Sequence, residues 1–232
     1  MLGIPKAPDA ALAPSPETVD PGVTQPGLTP EDAAQRGTDI HQILAKLDYH
    51  RPMTPSGVDV GIRPLIANFI DSGTCDRLSG LADVRREQRF AFAFRGVVIT
   101  GTFDVLARDP RGGGAGGALV VDYKSDRLGD ATPEQLTNEH YSSQHTIYAL
   151  AALRAGVPRV EVVHLFLEAA DEPVSAIFTQ ADIPSLEADL ADRVAGPLTG
   201  DFPVTERPNR RICGGCPARG GLCSWPLAAT QL

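Results

Sequence analysis

The stretch Leu119-Val120-Val121-Asp122-Tyr123-Lys124 constrains the fold more than any other in the chain. Its apolar start reads as a strand entering a protein core. It ends in an aspartate and a lysine two positions apart, and residues i and i+2 of a strand point to the same face. Asp122 and Lys124 therefore stand side by side next to buried apolar neighbours, a costly place for charges without partners. Lysine is also scarce. The chain has 18 arginines but only three lysines, Lys6, Lys46 and Lys124.

Composition bounds the answer. With 232 residues, 42% apolar and 22% charged, the chain is globular and can bury one sizeable core or two small ones. No run of about 18 apolar residues exists, so no transmembrane helix is expected. The N-terminus lacks the basic-then-apolar layout of a signal peptide, and a cytoplasmic location is the expectation. Four cysteines in a chain of this length do not suggest a secreted disulfide scaffold. A net charge of −8 argues against a simple basic nucleic-acid-binding module. Arginine is nonetheless dense at Arg85, Arg86, Arg89 and Arg95, and again at Arg207, Arg210 and Arg211. Such clusters form a solvated face or contact phosphates.

Along the chain, residues 1–28 are rich in Pro, Ala, Thr and Gly without apolar periodicity and read as a disordered tail or linker. Thr29-Pro30-Glu31-Asp32 carries the signals of a helix start. Ile40, Ile43, Leu44 and Leu47 follow at helical spacing, with His41 at the edge of that stripe. Residues 63–84 predict one or two further helices. Residues 87–108 predict a hairpin, with Phe90, Phe92 and Phe94 alternating and Arg95-Gly96 as its turn. "DPRGGGAGG" is a flexible connection without the Gly-Lys-Ser/Thr ending of a P-loop. After the "LVVDYK" strand come a helix ending at Gly156, the strand "RVEVVHLFLEA", the strand "PVSAIFTQ" and a helix closing at Gly196. The whole is a mixed α/β domain: a core over 29–200 and a cysteine-containing C-terminal extension over 201–232.

Asp122 and Lys124 need partners, and Asp104, ending "VVITGTFD", is the first candidate. If the two strands are adjacent, Asp104 and Asp122 converge. Two convergent carboxylates repel unless a cation lies between them. A hard divalent ion such as Mg2+ takes oxygen ligands and keeps several waters. A neighbouring lysine positions a reacting water or stabilises developing charge. This chemistry suits breaking a phosphodiester. In the following helix Gln144 and Tyr148 lie four apart on one face. Taken singly, each residue has a bland reading. Asp122–Lys124 is as readily a strand-end ion pair, His41 a surface residue, and Gln144 and Tyr148 packing residues. His164 reads as a satisfied core or edge histidine, and His140 and His145 as residues without a ligand role.

Taken together, "RGTDIH", "GTFD", "VDYK" and "QHTIY" occur in order on matching elements. The chain resembles the PD-(D/E)XK nuclease superfamily over about residues 30–225, and within it the RecB-type nuclease domains of bacterial recombination helicase–nucleases and CRISPR-associated exonucleases. The resemblance implies a restriction-endonuclease-like core, a mixed central sheet flanked by helices. It implies a Mg2+ or Mn2+ ion bound by His41, Asp104 and Asp122, with the Tyr123 carbonyl as a further ligand. Lys124 would orient the attacking water and stabilise charge. Gln144 and Tyr148 match the Q-x-x-x-Y motif, near the site and the DNA backbone. Glu87 matches a frequent acidic position, to which no role is assigned. The implied function is a metal-dependent DNA nuclease, an exonuclease in DNA repair or recombination with a fused or partner helicase. The rivals are a catalytically silent domain that binds single-stranded DNA or a protein, and a stand-alone phage or CRISPR-type exonuclease.

"RRICGGCPARGGLCSWP" places Cys213, Cys216 and Cys223 at a spacing suited to chelating one ion. The resemblance implies a 4Fe–4S cluster with a fourth, remote cysteine upstream of the histidine motif. No cysteine precedes His41, and Cys75 lies after it. A cluster completed by Cys75 or by a region outside this chain, a zinc site, and no metal are the open alternatives.

Overall fold

A computed structural model describes residues 30–112, 116–200, 204–208, 213, 216 and 218–230. The expected tail over 1–28 and the cap at Thr29 lie outside these residues. Three helices open the chain: α1 (Pro30–Lys46), α2 (Arg63–Asp71) and α3 (Gly73–Ser79). α1 buries Ile40 and Leu44, with Leu47 buried just past its end and Ile43 of the expected stripe partly buried. Ser72 caps α3 by accepting the Cys75 N–H at 3.2 Å.

The hairpin follows as β1 (Val84–Phe94) and β2 (Val97–Asp109). Its turn is Arg95-Gly96, with φ of +46° and +86°. Two successive positive φ values are the signature of the tight turn that matches strand twist. Then come β3 (Gly117–Lys124), α4 (Pro133–Leu136), a π-helical turn over Thr137–Tyr141 and α5 (Ser142–Arg154). The chain continues with β4 (Arg159–Phe166), β5 (Val174–Thr179) and α6 (Ile183–Thr199). The last helix runs past Gly196, the expected stop. It ends before Gly200, whose φ of +72° is the left-handed conformation that terminates helices.

The five strands form one sheet in the order β1-β2-β3-β4-β5, antiparallel except for the parallel β3–β4 pair. This is the mixed sheet flanked by helices that the sequence predicts. Every residue of β3 is buried, as a central strand covered on both faces must be. Alternation sorts its side chains. Leu119, Val121 and Tyr123 join the core under α1, α2 and α3. Ala118 and Val120 join the core under α5 and α6. By the same alternation Asp122 and Lys124 face α5, which is why that helix supplies their partners. Gly101 of β2 lies against the Phe90 ring, and a Cβ there would collide with it.

A partly buried ion cluster ties α3 to the sheet. Arg77 Nε donates to Asp109 Oδ2 at 2.8 Å, and its Nη1 and Nη2 donate to the Glu161 carboxylate at 3.1 and 2.6 Å. Burial alone would raise the Asp109 carboxyl. The Arg111 N–H and the Arg77 guanidinium instead hold it below the usual carboxylate range. Removing one member of such a cluster strands the others. Arg77→Leu is expected to lower the unfolding free energy by about 3 kcal/mol in urea titrations. Asp109's share is present above its unfolded-state value, about 3.9, and is lost as pH falls through the depressed folded value. Wild type should therefore lose more stability than Arg77→Leu on acidification through that window.

Candidate active site

The site begins with a fault in strand alternation. Val84 of β1 packs on the α1–α3 side of the sheet, whereas Phe90 and Phe94 pack on the α5–α6 side. All three are even-numbered, and an unbroken strand would put them on one face. β2 does the same: Phe103 packs on the α5–α6 side and Val105 on the other. The two strands exchange faces at directly opposed residues. Glu87 and Asp104 are the one position missing from the β1–β2 pairing between Val84↔Ala107 and Phe94↔Val97. Glu87 takes the strain, with φ of +49°, an uncommon value for a residue other than glycine.

On its other side β2 parts from β3 at the same place. Their pairing ends at Val105↔Val121, one step before Asp104 would face Asp122. The Asp104 side chain replaces the missing ladder bond, its Oδ2 accepting the Tyr123 N–H at 2.7 Å. Asp104 Oδ1 lies 3.2 Å from His41 Nδ1. The His41 ring rests edge-on against Tyr123, 6.1 Å between centroids, and the Tyr123 hydroxyl meets that of Tyr49 at 3.0 Å.

His41, Glu87 and Asp104 thus converge, each offering a ligand atom, and all these atoms lie within 4.8 Å of one another. Burial opposes a charge on His41. The Asp104 carboxylate, aided by Asp122 and Glu87, overcomes it and raises the imidazole to about 9. At neutral pH the protonated imidazole is itself the cation among these carboxylates, and a divalent ion taking its place would release that proton. Two carboxylates opposed across a ladder repel each other, and an imidazole beside two carboxylate groups is a donor set that a divalent ion can use. The residues present fit such an ion. Glu87, given no role from sequence, is the member that sequence reasoning missed. Its signals were an acid inside an otherwise strand-like run and the match to a frequent acidic position of the resembled family.

Asp122 lies outside that trio, with Lys124, Gln144 and Tyr148. Both Asp122 and Lys124 are buried, at 3% and 7% exposure. Lys124 Nζ sits 2.7 Å from Asp122 Oδ2, close enough for an ion pair though not aligned as a hydrogen bond. It donates to Gln144 Oε1 at 2.6 Å. The Tyr148 hydroxyl donates to Asp122 Oδ1 at 2.9 Å. Burial would raise the Asp122 carboxyl, but Lys124 holds it below the ordinary value. Burial and the Asp122 carboxylate push the Tyr148 phenol well up, so it stays a donor.

His164 departs from expectation. It is fully buried, but neither ring nitrogen has a hydrogen-bond partner, so it is not a satisfied core histidine. Burial lowers its pKa to about 3, leaving it neutral beside Asp122, 4.0 Å away. His145 stacks on it, 4.2 Å between centroids, and its buried Nε2 also lacks a partner.

The cysteines are free. Cys75 is packed in the α1–α3 core, where burial pushes its thiol up to about 11. Cys213 is buried, Cys223 half-buried and Cys216 exposed. Among the described residues no cysteine joins a group of three side chains with ligand atoms gathered as at His41, Glu87 and Asp104.

Comparison with known proteins follows this geometry. The sequence model of the PD-(D/E)XK nuclease superfamily matches residues 22–223. No curated protein matches the chain. Solved structures that match include one titled "Crystal structure of SSO0001", at 17% identity and a TM-score of 0.28. That match covers 47% of this chain and spans about half of that protein, 50% of its length. No helix among the described residues is long and apolar enough to cross a membrane.

Tyr148→Phe removes one hydroxyl and leaves Asp122 Oδ1 without its donor. A buried hydrogen bond to a charged group contributes about 1.5–3 kcal/mol. The variant should lose about 2 kcal/mol of unfolding free energy by urea titration. A loss below roughly 0.5 kcal/mol would show that the hydroxyl does not hold this carboxylate.

Proposed function

The chain belongs to the PD-(D/E)XK nuclease superfamily, and from that premise we propose that it is a metal-dependent deoxyribonuclease that hydrolyses phosphodiester bonds. The observation that carries this reading is the convergence of His41, Glu87 and Asp104 where two strands exchange faces. These residues would hold a Mg2+ or Mn2+ ion, with Asp122 and the Tyr123 carbonyl as its further neighbours. When bound, the ion supplies Lewis acidity and makes a nucleophile of water at neutral pH.

The chain's own residues do the rest. Asp104 organises the cation side by holding both His41 and the Tyr123 N–H. Lys124 brings a fixed positive charge to the phosphate, where negative charge grows as the bond breaks. Asp122 and Gln144 aim the ammonium, and Tyr148 aims Asp122. The finer reading is exonuclease action in DNA repair or recombination, with a fused or partner helicase. It rests on the RecB-type set "RGTDIH", "GTFD", "VDYK" and "QHTIY".

The test is cleavage of linear single- and double-stranded DNA with Mg2+ or Mn2+. Wild type should cut in a metal-dependent manner and Asp122→Ala should not. Lys124→Met should be slower by about a hundredfold or more, as for loss of one charge-stabilising donor. Equal cutting by all three proteins would place the site elsewhere. DNA binding without cutting by any of them would make the domain a silent binding module.

A further inference from the structure

Lysine has three N–H donors and a long flexible stem, so one ion pair does not fix it. Lys124 Nζ has Asp122 Oδ2 on one side and Gln144 Oε1 on another. The third side is the face of Tyr141, whose ring centroid lies 3.8 Å from Nζ. An ammonium at that distance over a π-face is attracted by the ring, more strongly when water is excluded. Tyr141 is 6% exposed.

The local backbone is built to place this ring. Tyr141 ends the π-helical turn Thr137–Tyr141 and stands at φ −115° and ψ 0°, between that turn and α5. Such turns inside helices are frequent at functional sites, and this dihedral region is sparsely populated. Three further contacts hold the ring. The Tyr141 hydroxyl donates to Asp126 Oδ2 at 2.8 Å, tying it to the loop after β3. Its ring packs edge-on against Phe166 at 6.0 Å and His164 at 5.5 Å. Both His164 ring nitrogens and His145 Nε2 are without a hydrogen-bond partner, so none of the three accepts from the ammonium.

We propose that Tyr141 is a positioning residue for Lys124: its ring face closes the third side of the ammonium's cage and holds the charge where the scissile phosphate is met. The catalytic part of this inference rests on the nuclease reading. The contact itself does not.

The test uses two readouts on the full chain. Lysine labelled with carbon-13 at the ε position gives signals from only three side chains, Lys6, Lys46 and Lys124. The Lys124 signal is assigned by its absence from Lys124→Met. An aromatic face at this distance shifts the ε protons upfield. The shift should be present in wild type and Tyr141→Phe and absent from Tyr141→Leu. In cleavage assays Tyr141→Leu should lose about tenfold in kcat, the scale of a desolvated cation–π contact. Its KM for DNA should stay within about twofold, since the loss falls on the reacting state. Tyr141→Phe, which keeps the face and loses only the Asp126 hydrogen bond, should recover most of kcat.

An unshifted Lys124 signal in wild type overturns the inference without any variant having to fold. So does Tyr141→Phe as slow as Tyr141→Leu, or a Tyr141→Leu change confined to KM. A shifted Lys124 signal in a wild type that cuts no DNA upholds the contact and overturns the nuclease reading instead.

Discussion

The structure turns on a single opposed pair, Glu87 and Asp104. A hairpin that kept strict alternation would send all its even-numbered β1 side chains to one face. Here the strands exchange faces at that pair, and two consequences follow. The distal half of the hairpin, with Phe90, Phe94 and Phe103, becomes part of the core under α5 and α6. The two acids, belonging to neither core, are left facing each other at the gap where β2 leaves β3. The left-handed φ at Glu87 is a cost accepted at this point. Repulsion and strain thus meet in one place beside an imidazole, and these three groups together are a donor set that fits a divalent ion.

Around this pair the two faces of β3 divide the work. Tyr123 points toward α1, where its ring supports His41 and its N–H anchors Asp104. Asp122 and Lys124 point toward α5, where Gln144, Tyr148 and Tyr141 hold them. One strand thereby joins the His41–Asp104 side to the Asp122–Lys124 side with no loop between them. The strand is buried on both faces, β4 pairs with it through Lys124, and β2 pairs with it as far as Val121. At the other end of β2 and β4, the Arg77–Asp109–Glu161 cluster locks α3 to the same strands.

Much of this was legible in the sequence. Strand alternation in "LVVDYK" puts Asp122 beside Lys124, and helical spacing puts Gln144 and Tyr148 on one face; both rules are local and both hold. The convergence of Glu87 with His41 and Asp104 was not legible, because it depends on a break in alternation that leaves no mark on the residue pattern. Phe90, Phe92, Phe94 and Val84 share one parity in the sequence, and only packing shows that Val84 lies on the opposite face. The π-helical turn was hidden for a similar reason. Residues 138–156 read as one uninterrupted helix, since an inserted backbone turn changes where Tyr141 points without changing composition. His164 was misread as satisfied because a histidine in an apolar strand usually finds a partner, and this one stacks on His145 instead. The stop expected at Gly196 failed because glycine is tolerated inside a helix, and the left-handed residue that ends it is Gly200.

The most direct test of this account is calorimetric titration of the metal-free protein with Mn2+, alongside Asp104→Asn. The account predicts a saturable site in wild type that is lost or greatly weakened in the variant, because Asp104 joins the His41 imidazole to the facing carboxylate of Glu87. No saturable binding by wild type, or undiminished binding by Asp104→Asn, would contradict it.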